Sequence, residues 1–195
     1  ALQDVAYSDN GKYLFTNSWD NEIVVWEMAS GLQIQRLPAT QIKSELIELI
    51  PNTTLLITAD DHKEIVIWDW AKNKIVQRQS LSSQYTIEDV SWRNGANEYA
   101  VAFGSILSGA SEIAIFDFET HEPGKRFVFE EELVQNIEFS PDGKMLAYGT
   151  KGSMSALFDS VPRTLGILDL LKGKTIYTFP LRFDVGEISF HPSGE

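Results

Sequence analysis

Gly173-Lys174-Thr175 ends as a phosphate-binding loop ends, with a lysine for phosphate oxygens and a hydroxyl for a metal ion. That loop also needs a glycine five residues before the glycine preceding the lysine, and position 168 is Leu. The flanking residues read as strand, turn and strand, so the segment is a turn. His62, His121 and His191 fall whole repeats apart, each without a second ligand at metal-like spacing, and are read as solvated corner residues. The chain has no cysteine, which excludes disulfides and thiolate metal sites within it. There is no Gly-x-Ser-x-Gly elbow and no Ser, His and Asp grouping that stands out. The expectation is a chain with no catalytic centre, no cofactor and no metal, which leaves room for an enzyme domain elsewhere in a larger protein. Glu130-Glu131-Glu132 reads as a solvated connection that a basic partner segment could use. Asn52-Thr53-Thr54 satisfies the glycosylation sequon, which matters only in a secreted eukaryotic protein.

The net charge of −12 and pI of about 4.7 argue against a nucleic-acid partner, because nonspecific affinity comes from neutralising phosphates with Lys and Arg. Anionic membranes are disfavoured for the same reason. No apolar stretch approaches the roughly 18 residues of a spanning helix, so membrane insertion is not expected. A protein or peptide partner remains. Composition leaves the compartment open, with a slight preference for the cytoplasm.

The elements that would position any site repeat along the chain. Glu22-Ile-Val-Val-Trp26-Glu27, Glu64-Ile-Val-Ile-Trp68-Asp69, Glu112-Ile-Ala-Ile-Phe116-Asp117 and Thr164-Leu-Gly-Ile-Leu168-Asp169 are one line written four times. Near-continuous apolar runs suit strands covered on both faces, with an acidic residue ending each as the chain reaches water. Upstream lies a second column: Asp4-Val-Ala-Tyr7, Leu46-Ile-Glu-Leu49, Asp89-Val-Ser-Trp92, Asn136-Ile-Glu-Phe139 and Glu187-Ile-Ser-Phe190. Turn formers such as Asp9-Asn10-Gly11-Lys12 and Pro141-Asp142-Gly143-Lys144 separate the columns. A further turn and an outer strand follow each acidic terminator. Each unit is therefore a four-stranded antiparallel meander with strands a, b, c and d, and the fold is all-β.

These motifs resemble the WD-repeat β-propeller family. Trp68-Asp69 matches its signature dipeptide, Phe139-Ser-Pro-Asp-Gly-Lys144 and Tyr7-Ser-Asp-Asn-Gly-Lys12 match its first corner, and Ser18-Trp19-Asp20 with Ile23 and Trp26 matches its next strands. The resemblance makes Ser18, Asp20, Trp26, Trp68, Asp69, Phe116, Asp117 and Asp169 the structural repeat residues. No Gly-His dipeptide occurs, so the family's Asp-His-Ser-Trp hydrogen-bonded set is complete in no repeat. The units become blades: blade 1 at about 1–39, blade 2 at 40–81, blade 3 at 82–131, blade 4 at 132–181, and the start of a fifth at 182–195. Val185 to Phe190 is expected to be the inner strand of that fifth blade. Since it repeats a strand that blade 1 already has, the chain is expected to be a piece of a larger propeller of six to eight blades, seven being the number that the resemblance implies. The remaining blades, or an equivalent surface, would then cover the apolar face that blade 4 leaves open.

In such a meander the b–c loops and the connections to the next blade leave from one end, and the a–b and c–d turns from the other. The b–c connections of blade 3 (103–111) and blade 4 (151–163) are read as lengthened, which in a compact repeat usually signals function. Ile106, Leu107, Leu157, Phe158 and Arg163 are the candidate partner-binding residues: an apolar patch with a basic rim, or else a lid over the neighbouring blade. Trp19 and Trp70 lie outside the repeat columns and could anchor a partner or pack locally. The functional expectation is a noncatalytic scaffold that displays b–c loops to a protein or peptide. The alternative is an accessory or gating propeller of a multidomain enzyme such as an oligopeptidase-like serine hydrolase. A carbohydrate-binding propeller has no positive signature here.

Overall fold

A computed structural model describes residues 2–18, 22–37, 44–60, 64–81, 86–105, 109–130, 132–152 and 163–194, the side chains of Ser44, Glu45 and Asp60 excepted. Four four-stranded antiparallel sheets follow one another, each in simple sequence order. Blade 1 is β1 (Leu2–Tyr7), β2 (Tyr13–Ser18), β3 (Ile23–Glu27) and β4 (Leu32–Leu37). Blade 2 is β5 (Ser44–Leu49), β6 (Leu55–Asp60), β7 (Glu64–Asp69) and β8 (Lys74–Ser80). Blade 3 is β9 (Thr86–Arg93), β10 (Glu98–Ser105), β11 (Ala110–Asp117) and β12 (Pro123–Phe129). Blade 4 is β13 (Leu133–Phe139), β14 (Met145–Lys151), β15 (Arg163–Asp169) and β16 (Lys174–Leu181). Blades 1 and 2 form one compact unit (Ala1–Ser82), and blades 3 and 4 with the residues after them form another (Ser83–Glu195).

Each unit is held by an apolar layer between its two blades. In the first, Phe15, Val25, Leu37, Leu56 and Trp68 are almost fully buried. In the second, Ile113, Val134, Leu146 and Tyr148 play that part. Burying such a side chain stabilises by about 2 kcal/mol. By contrast, the ion pairs Arg36–Glu22, Arg78–Glu64 and Arg126–Glu112, each fourteen residues apart, link strands d and c near water. Exposed pairs contribute about 1 kcal/mol or less. They mark register, and packing holds the blades.

The strand edges are closed by side chains from the neighbouring blade. Every a strand slips register against its b strand just before the second-column residue, at Leu2/Asp4, Ser44/Leu46, opposite Ile87/Asp89, and at Val134/Asn136. The bulge turns a carboxylate sideways. Asp4 takes the Val5 amide on Oδ1 (2.7 Å) and the Ile47 amide of blade 2 on Oδ2 (2.7 Å). Asp89 repeats this, with Val90 at 2.8 Å and Ile137 of blade 4 at 2.8 Å. Ser91 Oγ accepts the next outward amide, that of Phe139, at 3.1 Å. An inner strand would otherwise present unpaired amides along that edge. At the outer side, Gln35 Nε2 donates to the Trp70 carbonyl and Lys125 Nζ to that of Leu170.

One acidic terminator differs from expectation. Asp69 does not meet water: it is 5% exposed and caps the c–d turn, accepting the Thr54 hydroxyl (2.9 Å) and the Lys72 amide (3.2 Å). Asp117 accepts the Thr120 amide (2.8 Å) and the Glu119 amide (3.1 Å), and Asp169 the Lys172 amide (2.9 Å). These bonds hold all three carboxyls below their ordinary value, led by the Lys72 side chain at Asp69, the Thr120 amide at Asp117 and the Lys172 side chain at Asp169. The a–b corners are built alike in blades 1 and 4. Tyr13 N donates to Ser8 Oγ and Lys12 N to Asn10 Oδ1, both at 3.0 Å, as Met145 N does to Ser140 Oγ (3.0 Å) and Lys144 N to Asp142 Oδ1 (3.1 Å). Gly11 and Gly143 supply the positive φ, +65° and +66°, that such a corner needs.

His121 is likewise not the solvated residue expected. It is 6% exposed, at a φ of +56°, with Nδ1 3.1 Å from the Tyr99 hydroxyl. Burial pushes its pKa below the ordinary histidine value, against the opposing pull of Asp117. A histidine held neutral by the fold protonates more readily unfolded, so its contribution is lost as pH falls through about 6.5 toward the lower folded value. Melting of the wild type is expected to drop more steeply between pH 7 and 5 than that of His121→Asn, which tolerates the same φ; parallel curves would contradict this. Glu132 is also half-buried rather than solvated, and burial raises its carboxyl.

Val185 to Phe190, expected to be a strand, is unpaired backbone. An a strand pairs only with its own b strand in every sheet described, and Val185 to Phe190 has no such partner among the described residues. The segment is still docked, since Val185 lies against Gly149 where a Cβ would stand. β16 leaves Tyr177 and Phe179 exposed, and Phe183 follows at 81% exposure.

Candidate interaction surfaces

At the b–c end of the blades, residues 19–21, 61–63, 106–108 and 153–162 lie outside the described residues. Asp20, Ile106, Leu107, Leu157 and Phe158 therefore fall there, as does Trp19. The flanking strands still correct one expectation. β10 and β11 pair as far as Ser105 and Ala110, so the connection of blade 3 is 106–109, and the extra length went into longer strands. Between the described b and c strands, the widest spacing is that of blade 4, 152–162.

Arg163 is described, and it is occupied. Its Nε donates to Asp184 Oδ1 at 2.7 Å, and the Gly152 amide donates to the same oxygen at 2.8 Å. The Gly152 amide and the Arg163 guanidinium, in that order, hold the Asp184 carboxyl below its ordinary value. Asp184 thus ties both ends of the 152–162 connection, Gly152 and Arg163, to the segment after blade 4, where Arg163 had been expected to form a basic rim. The partner, Asp184, carries no repeat signal that would have found it.

Among the structural repeat residues, Trp68 is buried on strand c and Trp26 is half-buried. Trp26 Nε1 donates to Thr16 Oγ1 (2.9 Å) and Trp68 Nε1 to Thr58 Oγ1 (3.2 Å), each on the adjacent b strand. Ser18, at the end of β2, lies two residues beyond Thr16. The sequence reading missed both threonines, although their constant ten-residue offset from the tryptophans was visible. Where blade 3 has Phe116 it has Val101 in place of the threonine, so indole and hydroxyl are lost together.

At the opposite end, the a–b corners of blades 1 and 2 enclose a cleft of about 530 Å³. Trp70 forms one wall, 5.0 Å from the Tyr13 ring and edge-on to Phe15 at 5.2 Å. It packs locally and still faces the cleft. Leu49 lines the floor, and the Asn52 amide donates to Asp9 Oδ2 at 2.6 Å across the rim. Among the described residues lining the cleft, Asp9 alone is charged.

The four meanders, their corner chemistry and the Trp68-Asp69 cap define the class: a β-propeller built from WD-type repeats. The WD domain, G-beta repeat family model matches residues 1–27, the first three strands of blade 1. No curated protein is significantly similar in sequence. Among solved structures, the Kuenenia stuttgartiensis hydrazine synthase is similar over 99% of this chain with a TM-score of 0.82 and 14% identity. The chain spans 53% of that protein's chain, about half its length. At this identity the likeness is one of fold. No helix among the described residues is long and apolar enough to cross a membrane, and none of their His, Asp and Glu side chains form a metal-holding group of three or more.

Proposed function

We propose that the protein is a noncatalytic interaction scaffold that binds a protein or peptide through the b–c end of blades 3 and 4. The observation that supports this most is the single long connection, 152–162, beside the extended β10–β11 hairpin, with Met154, Leu157, Phe158 and Val161 in its sequence. Stacked blades latched by Asp89 and Ser91 hold such loops in fixed register, so little ordering entropy is lost on binding. Truncating an anchor at an interface centre costs about 2 kcal/mol or more, roughly thirtyfold in affinity. Phe158→Ala in the full-length protein is expected to show that loss with melting unchanged. Lost stability with retained affinity would make Phe158 a lid over the neighbouring blade.

A second reading, an accessory propeller of a multidomain enzyme, draws support from the likeness to about half the length of a solved enzyme chain. A nucleophile elbow in the rest of the reading frame would decide for it, and further blades followed by a stop would decide for the scaffold.

A further inference from the structure

We propose that the cleft between the a–b corners of blades 1 and 2 receives an arginine side chain of a partner protein. The second unit shows what fits there, because it fills the corresponding space with an arginine of its own. Register places Ser8 and Arg93 at the same position: Tyr7 pairs with Leu14 and Trp92 with Tyr99, and four residues follow before the b strand in each corner. Arg93 reaches from the corner of blade 3 to that of blade 4. Its Nε donates to the Gly143 carbonyl at 2.7 Å, its Nη1 pairs with Glu98, and its guanidinium lies 6.0 Å from the centre of the Phe139 ring. In blades 1 and 2 the same position is Ser8, whose hydroxyl stays within its own corner. The guanidinium is missing, and its place is the open cleft.

The groups left around that cleft suit a guanidinium. Thr53, which lines the cleft, holds the register position of Gly143, four residues beyond the paired end of the a strand in each corner, and brings a backbone carbonyl to that rim. Trp70, where blade 4 has Leu170, and Tyr13, where blade 3 has Glu98, present aromatic rings on which a planar cation stacks. Asp9 supplies the carboxylate, and no cation lines the site among the described residues. The overall charge of −12 favours a basic partner segment. Lysine, a hydrated point charge without a planar face, fits less well. The site lies at the other end of the blades from the b–c loops, so it stands or falls independently of the scaffold reading.

The test is a titration of the intact protein with N-acetyl-arginine amide and, separately, N-acetyl-lysine amide, following the Trp70 indole and Asn52 amide resonances. Saturable shifts with the arginine compound are expected, at least fivefold weaker with the lysine compound. Asp9→Asn should weaken arginine binding at least fivefold, and Trp70→Leu, which restores the residue of blade 4, should do likewise. Ser8→Arg should abolish binding by filling the cleft from within; if that variant does not fold, Asp9→Asn and Trp70→Leu decide. Equal response to the two cations, unchanged binding in the variants, or no shift at these residues would overturn the proposal.

Discussion

Gly166→Ala is expected to destabilise the unit of blades 3 and 4 by about 3 kcal/mol, the upper range for overpacking a filled core. A Cβ at Gly166 would overlap the ring of Tyr148, its partner across strands b and c, which is 2% exposed and packs against Phe129 at 4.9 Å. The same pair position holds Thr16 with Val24, Thr58 with Val66 and Val101 with Ala114 in the other blades. As one partner grows the other shrinks. Tyr148→Thr alone should also cost about 3 kcal/mol through the cavity it leaves. The double variant Tyr148→Thr/Gly166→Val installs the pair of blades 1 and 2 and should recover most of both losses. Denaturant midpoints for the cycle measure this coupling; strictly additive losses would show that the position is not a shared volume.

Asp89→Ala is expected to cost about 2–3 kcal/mol, because the amides of Val90 and Ile137 lose their acceptor at a strand edge. Asp89→Asn keeps one acceptor oxygen and should lose less than half of that. Asp4→Ala should act alike on blades 1 and 2, where the same carboxylate holds Ile47. The check is the denaturation midpoint together with amide exchange at Ile137, which should speed up in Asp89→Ala alone of the two Asp89 variants. An unchanged midpoint would mean that apolar packing alone sets how the two blades meet.

The meander and the corners were legible because they are local: near-continuous apolar runs, turn formers and a fixed repeat need no tertiary information. Trp68-Asp69 and the Ser8 and Ser140 corners could be read the same way. What escaped is what acts between blades or across strands. Asp4 and Asp89 sit in the second column in plain view, yet a bulge has to turn them before they can reach the next blade, and a repeat alignment shows no bulge. The burial of His121 depends on Tyr99 and Phe118 closing over a turn that reads as polar. The capture of Arg163 by Asp184 joins residues 21 apart with no repeated counterpart. The length of blade 3's loop was misjudged because Gly104 and Ser105 look like loop residues and are paired as strand.

The proposed binding end is tested most directly by hydrogen exchange of the intact protein with and without its partner. Protection gained in peptides covering 103–112 and 152–162 is the result expected of a scaffold that binds through its b–c end. Protection confined to other segments, with 152–162 exchanging as in the free protein, would contradict it.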